Sequence, residues 1–190
     1  MEKKILTPGT VWITGLCNSG KTTLGERLSA ALVSQGYENV TFIDSGELRK
    51  TVNKGLGFSI PDRYQSFLNV VNLCKQYNAQ GRFTIVSQIS HKRDMREEAR
   101  ASIAHFMEIF LDCPPQICAQ RDQKGLYEKA LANSAECFPG VTEAYECHTA
   151  FHPELTLDTH TLGVDVCLDR ILDAVRVFDR EKAPVSKAGA

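Results

Sequence analysis

Residues 15 to 22, Gly15-Leu16-Cys17-Asn18-Ser19-Gly20-Lys21-Thr22, fit the spacing G-x-x-x-x-G-K-[ST] of a phosphate-binding loop. Each fixed position has a chemical reason. Glycine at the first and sixth places lets the backbone curl until its N–H groups point inward at an anion. The start of a following helix adds partial positive charge. Lys21 reaches the outer phosphates of a nucleotide, the Thr22 hydroxyl sits on a magnesium ion, and Thr23 completes the nucleotide-contacting run. The flanks agree with this chemistry. Val11-Trp12-Ile13-Thr14 reads as a buried strand, and Leu24, Leu28 and Leu32 recur every four residues as on a helix face. A glycine-rich turn that matched by chance would not come in the order strand, loop, helix. The loop implies a nucleotide without naming it, and the N-K-x-D run with which GTPases read their base is absent.

The other elements follow from periodicity and punctuation. The first helix spans about Lys21 to Gln35, with Gly36 as its stop. Val40 to Asp44 is a second buried strand, ending in Asp44-Ser45-Gly46-Glu47-Leu48-Arg49. Charged groups thus fall at a strand's carboxyl end, where open parallel sheets bind ligands. Pro61 and Asp62 open a long helix that Gly81 ends; its buried stripe is Phe67, Val70, Val71, Cys74 and Tyr77. Phe83 to Ser90 is a third strand, Lys92 to Ala104 a helix, and Phe106 to Asp112 a fourth strand, after which Pro114 opens a short helix. Residues 121–153 are polar, carry few periodic apolar positions, and suit a lid more than an inert linker. Leu155 to Thr159 is a fifth strand and Val164 to Phe178 a closing helix. Strands alternating with helices predict an α/β domain: a three-layer, parallel sheet of the P-loop type, helices on both faces, over residues 1–180. The remainder, 181–190, reads as a flexible tail.

The chain has 190 residues, 43% hydrophobic and 24% charged, with a net charge of -1. That suits one domain and gives no global field to recruit nucleic acid or an anionic membrane. No apolar run approaches the ~20 residues of a membrane helix. Pro8 and Gly9 interrupt the N-terminal segment, which argues against a signal peptide. The seven cysteines (17, 74, 113, 118, 137, 147 and 167) form no C-x-x-C pair and read as free thiols in a reducing cytoplasm. Cys147-His148 near Cys137 fits no common zinc spacing.

A small chain with a nucleotide loop and a polar lid fits a small-molecule kinase, which must exclude water from the transferring phosphoryl group. The sequence resembles the adenylylsulfate (APS) kinase family along almost its whole length. The resemblance is carried by GLCNSGKTT at 15–23, IDSGELR at 43–49, LGFSIPDR at 56–63, SQISHKRDMR at 87–96, RDQKGLYEKA at 121–130, CFPGVTEAYE at 137–146 and PELTLDT at 153–159. The family transfers the γ-phosphoryl of ATP to the 3′-hydroxyl of APS, uses magnesium and is commonly a homodimer. The resemblance implies that Arg49 and Arg63 bind the acceptor's phosphosulfate, that Phe58 and Phe138 sandwich its adenine, and that Ile89 lies beside that base. It puts Lys124 and Leu126 on the lid over the acceptor and Arg121 near the ATP base. Asp44 would orient the metal or the attacking hydroxyl, and Ser90 matches a serine credited with a phosphoserine intermediate. Taken singly, Arg49, Arg63 and Lys124 also read as solvated charges, the two phenylalanines as core aromatics, and Ser90 as a turn serine.

The sequence departs from the family pattern around the acceptor and the metal. The family's D-G-D is Asp44-Ser45-Gly46, with Glu47 as a possible substitute carboxylate. Its asparagine after D-R is Ser66. Gln88 stands for a phenylalanine, His91-Lys92 for a proline and a variable residue, and Gly140-Val141-Thr142 for G-I-D. Three functions therefore stay open: APS kinase, a kinase of the same scaffold for another nucleotide such as a cytidine diphosphoramidate-type acceptor, and a nucleotide-binding module of little activity. No sulfurylase segment is read in the chain, so coupling to an APS-forming enzyme would join separate chains.

Overall fold

The run G-T-V-W-I-T-G forms the middle strand of the protein, and all seven of its residues are buried. It is apolar on both faces because helices cover both faces. The alternation of a strand sorts its side chains: Val11 and Ile13 face one cluster, and Trp12 faces the other. The computed structural model describes residues 3–132, 137–146 and 153–182. Within them, β1 (Gly9–Gly15), β2 (Val40–Asp44), β3 (Phe83–Ser87), β4 (Phe106–Asp112) and β5 (Leu155–Asp158) build one parallel sheet in the order β2-β3-β1-β4-β5. The α/β, P-loop-type architecture expected from the sequence is the one observed.

The helices are α1 (Lys21–Ser34), α2 (Ile60–Ala79), α3 (Arg93–Ser102), α4 (Pro115–Gln120), α5 (Leu126–Ala132) and α6 (Val164–Lys182). Leu24, Leu28 and Leu32 of α1 join Ile171, Leu172 and Val175 of α6 on one face of the sheet. Phe67, Val70, Val71 and Cys74 of α2 join Met95 and Ala99 of α3 on the other. Gly25 lets α1 lie close on the sheet, since a Cβ there would come 2.3 Å from the Phe42 ring. The chain runs outward from β1 to β2, returns through β3, and then leaves to the other side through β4. The carboxyl ends of β1, β2 and β3 thereby flank one crevice, where such sheets bind ligands.

Several boundaries differ from the sequence reading. β3 stops at Ser87, where its pairing with both Ile13 and Asp44 ends, and residues 88–92 leave the sheet as a loop. A 3-10 turn, Glu47–Lys50, follows β2. The expected lid contains α5, whose buried Tyr127 and Ala130 are three apart on one helical face. Helix α6 runs on to Lys182, into the expected tail; residues 183–190, the lid residues 133–136 and 147–152, and with them Cys147-His148, lie outside the described residues. The six described cysteines are free thiols.

Candidate active site

The phosphate loop leaves β1 at Gly15 and enters α1 at Lys21. Gly20 has φ +103°, a left-handed conformation that a β-carbon would strain, and it directs the chain into the helix. Asn18 also has positive φ, +61°, and its amide donates to Cys118 O at 3.3 Å. From β5's end, Thr159 Oγ1 donates to Ser19 O at 2.9 Å and pins the loop from the other side. Ser19 Oγ is buried without a hydrogen-bond partner among the described residues.

Lys21 Nζ folds back onto Leu16 O. Burial pushes its ammonium pKa down to about 8. Thr22 Oγ1 donates to Asp44 Oδ2 at 2.6 Å and lies 3.4 Å from Ser87 Oγ. Asp44 and Ser87 are register partners at the ends of β2 and β3, so two strands and a helix bring three oxygen groups together. Asp44 Oδ1 meanwhile accepts the backbone N–H groups of Gly46 at 2.7 Å and Glu47 at 3.1 Å. This hard-oxygen set fits magnesium, which keeps few protein ligands and shares its shell with phosphates and water. No group of three His, Cys, Asp or Glu side chains suited to a metal occurs among the described residues.

Gly46 stands where the family pattern has a second aspartate; its backbone is right-handed helical, and a Cβ there would meet only the end of the Asp44 side chain, at 2.8 Å. Glu47 is exposed and pairs with Lys50 Nζ, at 2.6 and 2.9 Å, rather than with Thr22.

A cleft of about 990 Å³ opens over this constellation. Residues 17–24, Asp44, Gly46 and Glu47 form its floor; Ile89, Arg121, Lys124, Leu126 and Thr159 form part of its walls. Arg121 Nη2 donates to Thr159 O at 2.7 Å, and Asp122 accepts the N–H of Lys124 at 3.1 Å and of Tyr127 at 2.8 Å. The lid is bonded to the loop beneath it: Tyr127 OH donates to Cys17 O at 3.0 Å.

Beside the cleft, Phe58 is stacked by two guanidinium groups, Arg49 at 4.1 Å and Arg63 at 5.2 Å from its ring centre. Arg49 Nη1 donates to Leu56 O and Gly57 O, both at 3.0 Å. Arg63 Nε and Nη2 donate to Cys137 O at 2.9 and 2.7 Å, so Arg63 ties α2 to the lid's returning arm. The next residue, Phe138, meets Tyr127 edge-on at 4.9 Å. The structure thus joins Arg49, Phe58, Arg63 and the lid arm carrying Phe138 in one region.

Two candidates sit deeper. Ser66 is buried and its hydroxyl accepts from Asn53 Nδ2 at 2.8 Å, bracing the loop before α2. Ser90 is fully buried, with Oγ accepting from Trp12 Nε1 at 3.1 Å and its carbonyl accepting from Arg96 Nη1 at 2.6 Å. Sequence reasoning missed Tyr127, Thr159 and Arg96 as supports. Thr159 alone gave a signal, as a hydroxyl residue at the carboxyl end of a strand.

The adenylylsulphate kinase family model matches residues 7–158. The chain belongs to this family. An adenylyl-sulfate kinase from Gloeothece citriformis is 37% identical over 163 residues, 86% of this chain and 91% of that protein. An APS kinase from Mycobacterium tuberculosis, solved in complex with AMPPNP and APS, superposes with a TM-score of 0.80 at 30% identity, covering 90% of this chain and 99% of that one. A hexameric APS kinase from Thiobacillus denitrificans superposes with a TM-score of 0.66 at 26% identity, over 88% of this chain and 28% of that one. The phosphate loop and the K-G-L-Y lid of the adenylylsulphate kinase resemblance fall inside the matched span.

Proposed function

We propose that the protein transfers the γ-phosphoryl group of ATP to the 3′-hydroxyl of adenylylsulfate, giving 3′-phosphoadenylylsulfate for sulfate assimilation. The observation that supports this most is one arrangement: a complete phosphate loop and, near it, an aromatic ring with two guanidinium groups 4.1 and 5.2 Å from its centre. The loop suits a triphosphate, and the ring with its arginines suits a planar base linked to an oxyanion. ATP lies along residues 15–23, with Arg121 near its base. The Lys21 ammonium leaves Leu16 O for the outer phosphates and neutralises charge as it develops on them. Thr22 and Asp44 would hold Mg2+, which would offset negative charge on the phosphate oxygens.

The acceptor's adenine lies between Phe58 and Phe138, beside Ile89, and its phosphosulfate meets Arg49 and Arg63. Each guanidinium has five N–H donors, so its backbone bonds leave others for an anion. Ser66 braces this wall, and Lys124 and Leu126 close over the acceptor to exclude water. Asp44 orients the attacking hydroxyl or the metal, with Glu47 the reserve carboxylate. Ser90 is fully buried and its Oγ accepts from Trp12 Nε1, which favours direct in-line transfer without a phosphoserine. The working unit is a homodimer of single kinase domains, residues 1–180, in the cytoplasm. Among the described residues no helix is long and apolar enough to cross a membrane.

The test is ADP release with ATP, magnesium and micromolar APS, beside no-acceptor and cytidine-nucleotide controls. APS-dependent release is expected. Release with a cytidine nucleotide but not with APS would replace the acceptor. No acceptor-dependent release, with ATP still bound, would leave a nucleotide-binding module.

A further inference from the structure

Lys92 stands on the loop between β3 and α3 and reaches across to the lid's returning arm, residues 137–146. Its ammonium pairs with the Glu143 carboxylate and lies 3.3 Å from Glu146 Oε1. The Lys92 and Glu143 side chains are 27% and 25% exposed, so water screens this pair less than a surface ion pair. One backbone bond and one to a side chain run alongside: Glu146 N donates to His91 O at 2.9 Å, and Arg93 N donates to Glu146 Oε2 at 2.8 Å.

Glu143 belongs to a tight turn that also fixes Phe138. Phe138 O accepts from the N–H groups of Val141 and Thr142, both at 3.0 Å, and of Glu143 at 3.3 Å. Phe138 N donates to Thr142 Oγ1 at 2.8 Å. Holding Glu143 therefore holds the Phe138 ring, and holds Cys137 O where Arg63 donates to it. The Lys92 side chain reaches the turn through its ammonium, which donates to Glu143 Oε1.

We propose that Lys92 is a positioning residue for the acceptor: through Glu143 it sets the turn that presents Phe138 and Arg63, and so governs acceptor affinity. This rests on the reading that Phe58, Phe138, Arg49 and Arg63 hold the acceptor. An uncharged side chain at position 92 would make no such ion pair. Hydrogen bonding to Glu143 raises the Lys92 pKa above its usual value, so both partners are charged at neutral pH.

The test compares Lys92→Met, Glu143→Gln, the double variant and Lys92→Arg. Each single variant is expected to raise KM for APS by about tenfold, with kcat and the KM for ATP changed by less than about threefold. The double variant should be no worse than Lys92→Met, because that change already removes the pair with Glu143 along with the one to Glu146, and Lys92→Arg should keep most of the affinity. An unchanged KM for APS in both singles, or a double variant whose loss is the product of the two, overturns the proposal. The function reading fails separately, through absence of APS turnover in the parent protein. In that event hydrogen exchange of the amides at 138–146 decides: faster exchange in Lys92→Met and Glu143→Gln, recovered in Lys92→Arg, supports the clamp, and unchanged exchange sinks it.

Discussion

Asp44 is the carboxylate that the Thr22 hydroxyl meets, at 2.6 Å, while Glu47 turns to Lys50. The two are three residues apart, and only their geometry separates their roles. Asp44→Asn is therefore expected to lower kcat by about a hundredfold, and Glu47→Gln by less than about threefold. Equal losses in steady-state assays would make Glu47 a partner in the chemistry. Lys21 gives a second test. Burial holds its ammonium pKa at about 8, below the usual value, so the charge is present at pH 7 and lost as pH rises through 8. A triphosphate needs that charge, so kcat/KM for ATP should fall above about pH 8, while kcat holds to higher pH because bound phosphates favour the ammonium. A flat kcat/KM profile up to pH 10 would contradict this. The phosphate loop was legible because its chemistry is local: eight consecutive residues define it. That Glu47 faces Lys50 was not legible, since an i,i+3 ion pair and a metal-directed carboxylate share the same letters.

At the scale of elements, the strands and long helices were legible where burial on both faces leaves a continuous apolar run, as in β1, or a stripe, as in α2. The reading failed where an element is held from outside. The sequence carries β3 through Ser90, but the ladder ends where β2 ends, at the Asp44–Ser87 pair, and Gln88, Ile89 and Ser90 lie beyond the strand. Helix α5 is hidden in a polar stretch with few periodic apolar positions, and in the structure only Tyr127 and Ala130 are buried on it. What holds α5 is partly polar: Asp122 accepts its first N–H groups, and Tyr127 OH donates to Cys17 O at 3.0 Å. That bond links lid to phosphate loop, so Tyr127→Phe should weaken ATP binding by about 1 kcal/mol, roughly fivefold, and leave the folded stability nearly unchanged. Calorimetric titration with a non-hydrolysable ATP analogue checks it, and equal affinity in the two proteins would show that the lid and the loop act independently.

Across the whole molecule, the site is assembled from pieces far apart in sequence, and a buried charge network helps to keep them in register. Arg96 on α3 and Glu108 on β4 are 3% and 2% exposed and lie 3.5 Å apart; Arg100 lies 3.7 Å from Glu108 and pairs with Glu154 before β5. Arg96 also donates to Ser90 O at 2.6 Å and to Glu146 O at 2.7 Å, so one guanidinium joins the sheet, the loop after β3 and the end of the lid. No residue pattern announces such a network, because charged side chains in α3 look like a solvated face until the fold buries them. Removing Arg96 leaves Glu108 in a dry environment with one partner fewer, a loss on the order of 3–5 kcal/mol. Arg96→Met should therefore lower the urea midpoint strongly with little change in slope. Arg96→Met combined with Glu108→Leu should recover part of the loss, because no buried charge is then left wanting a partner, yet the bonds to Ser90 and Glu146 stay broken. If the single variant costs less than about 1 kcal/mol, water reaches this network and the charges are not what fixes the lid to the sheet.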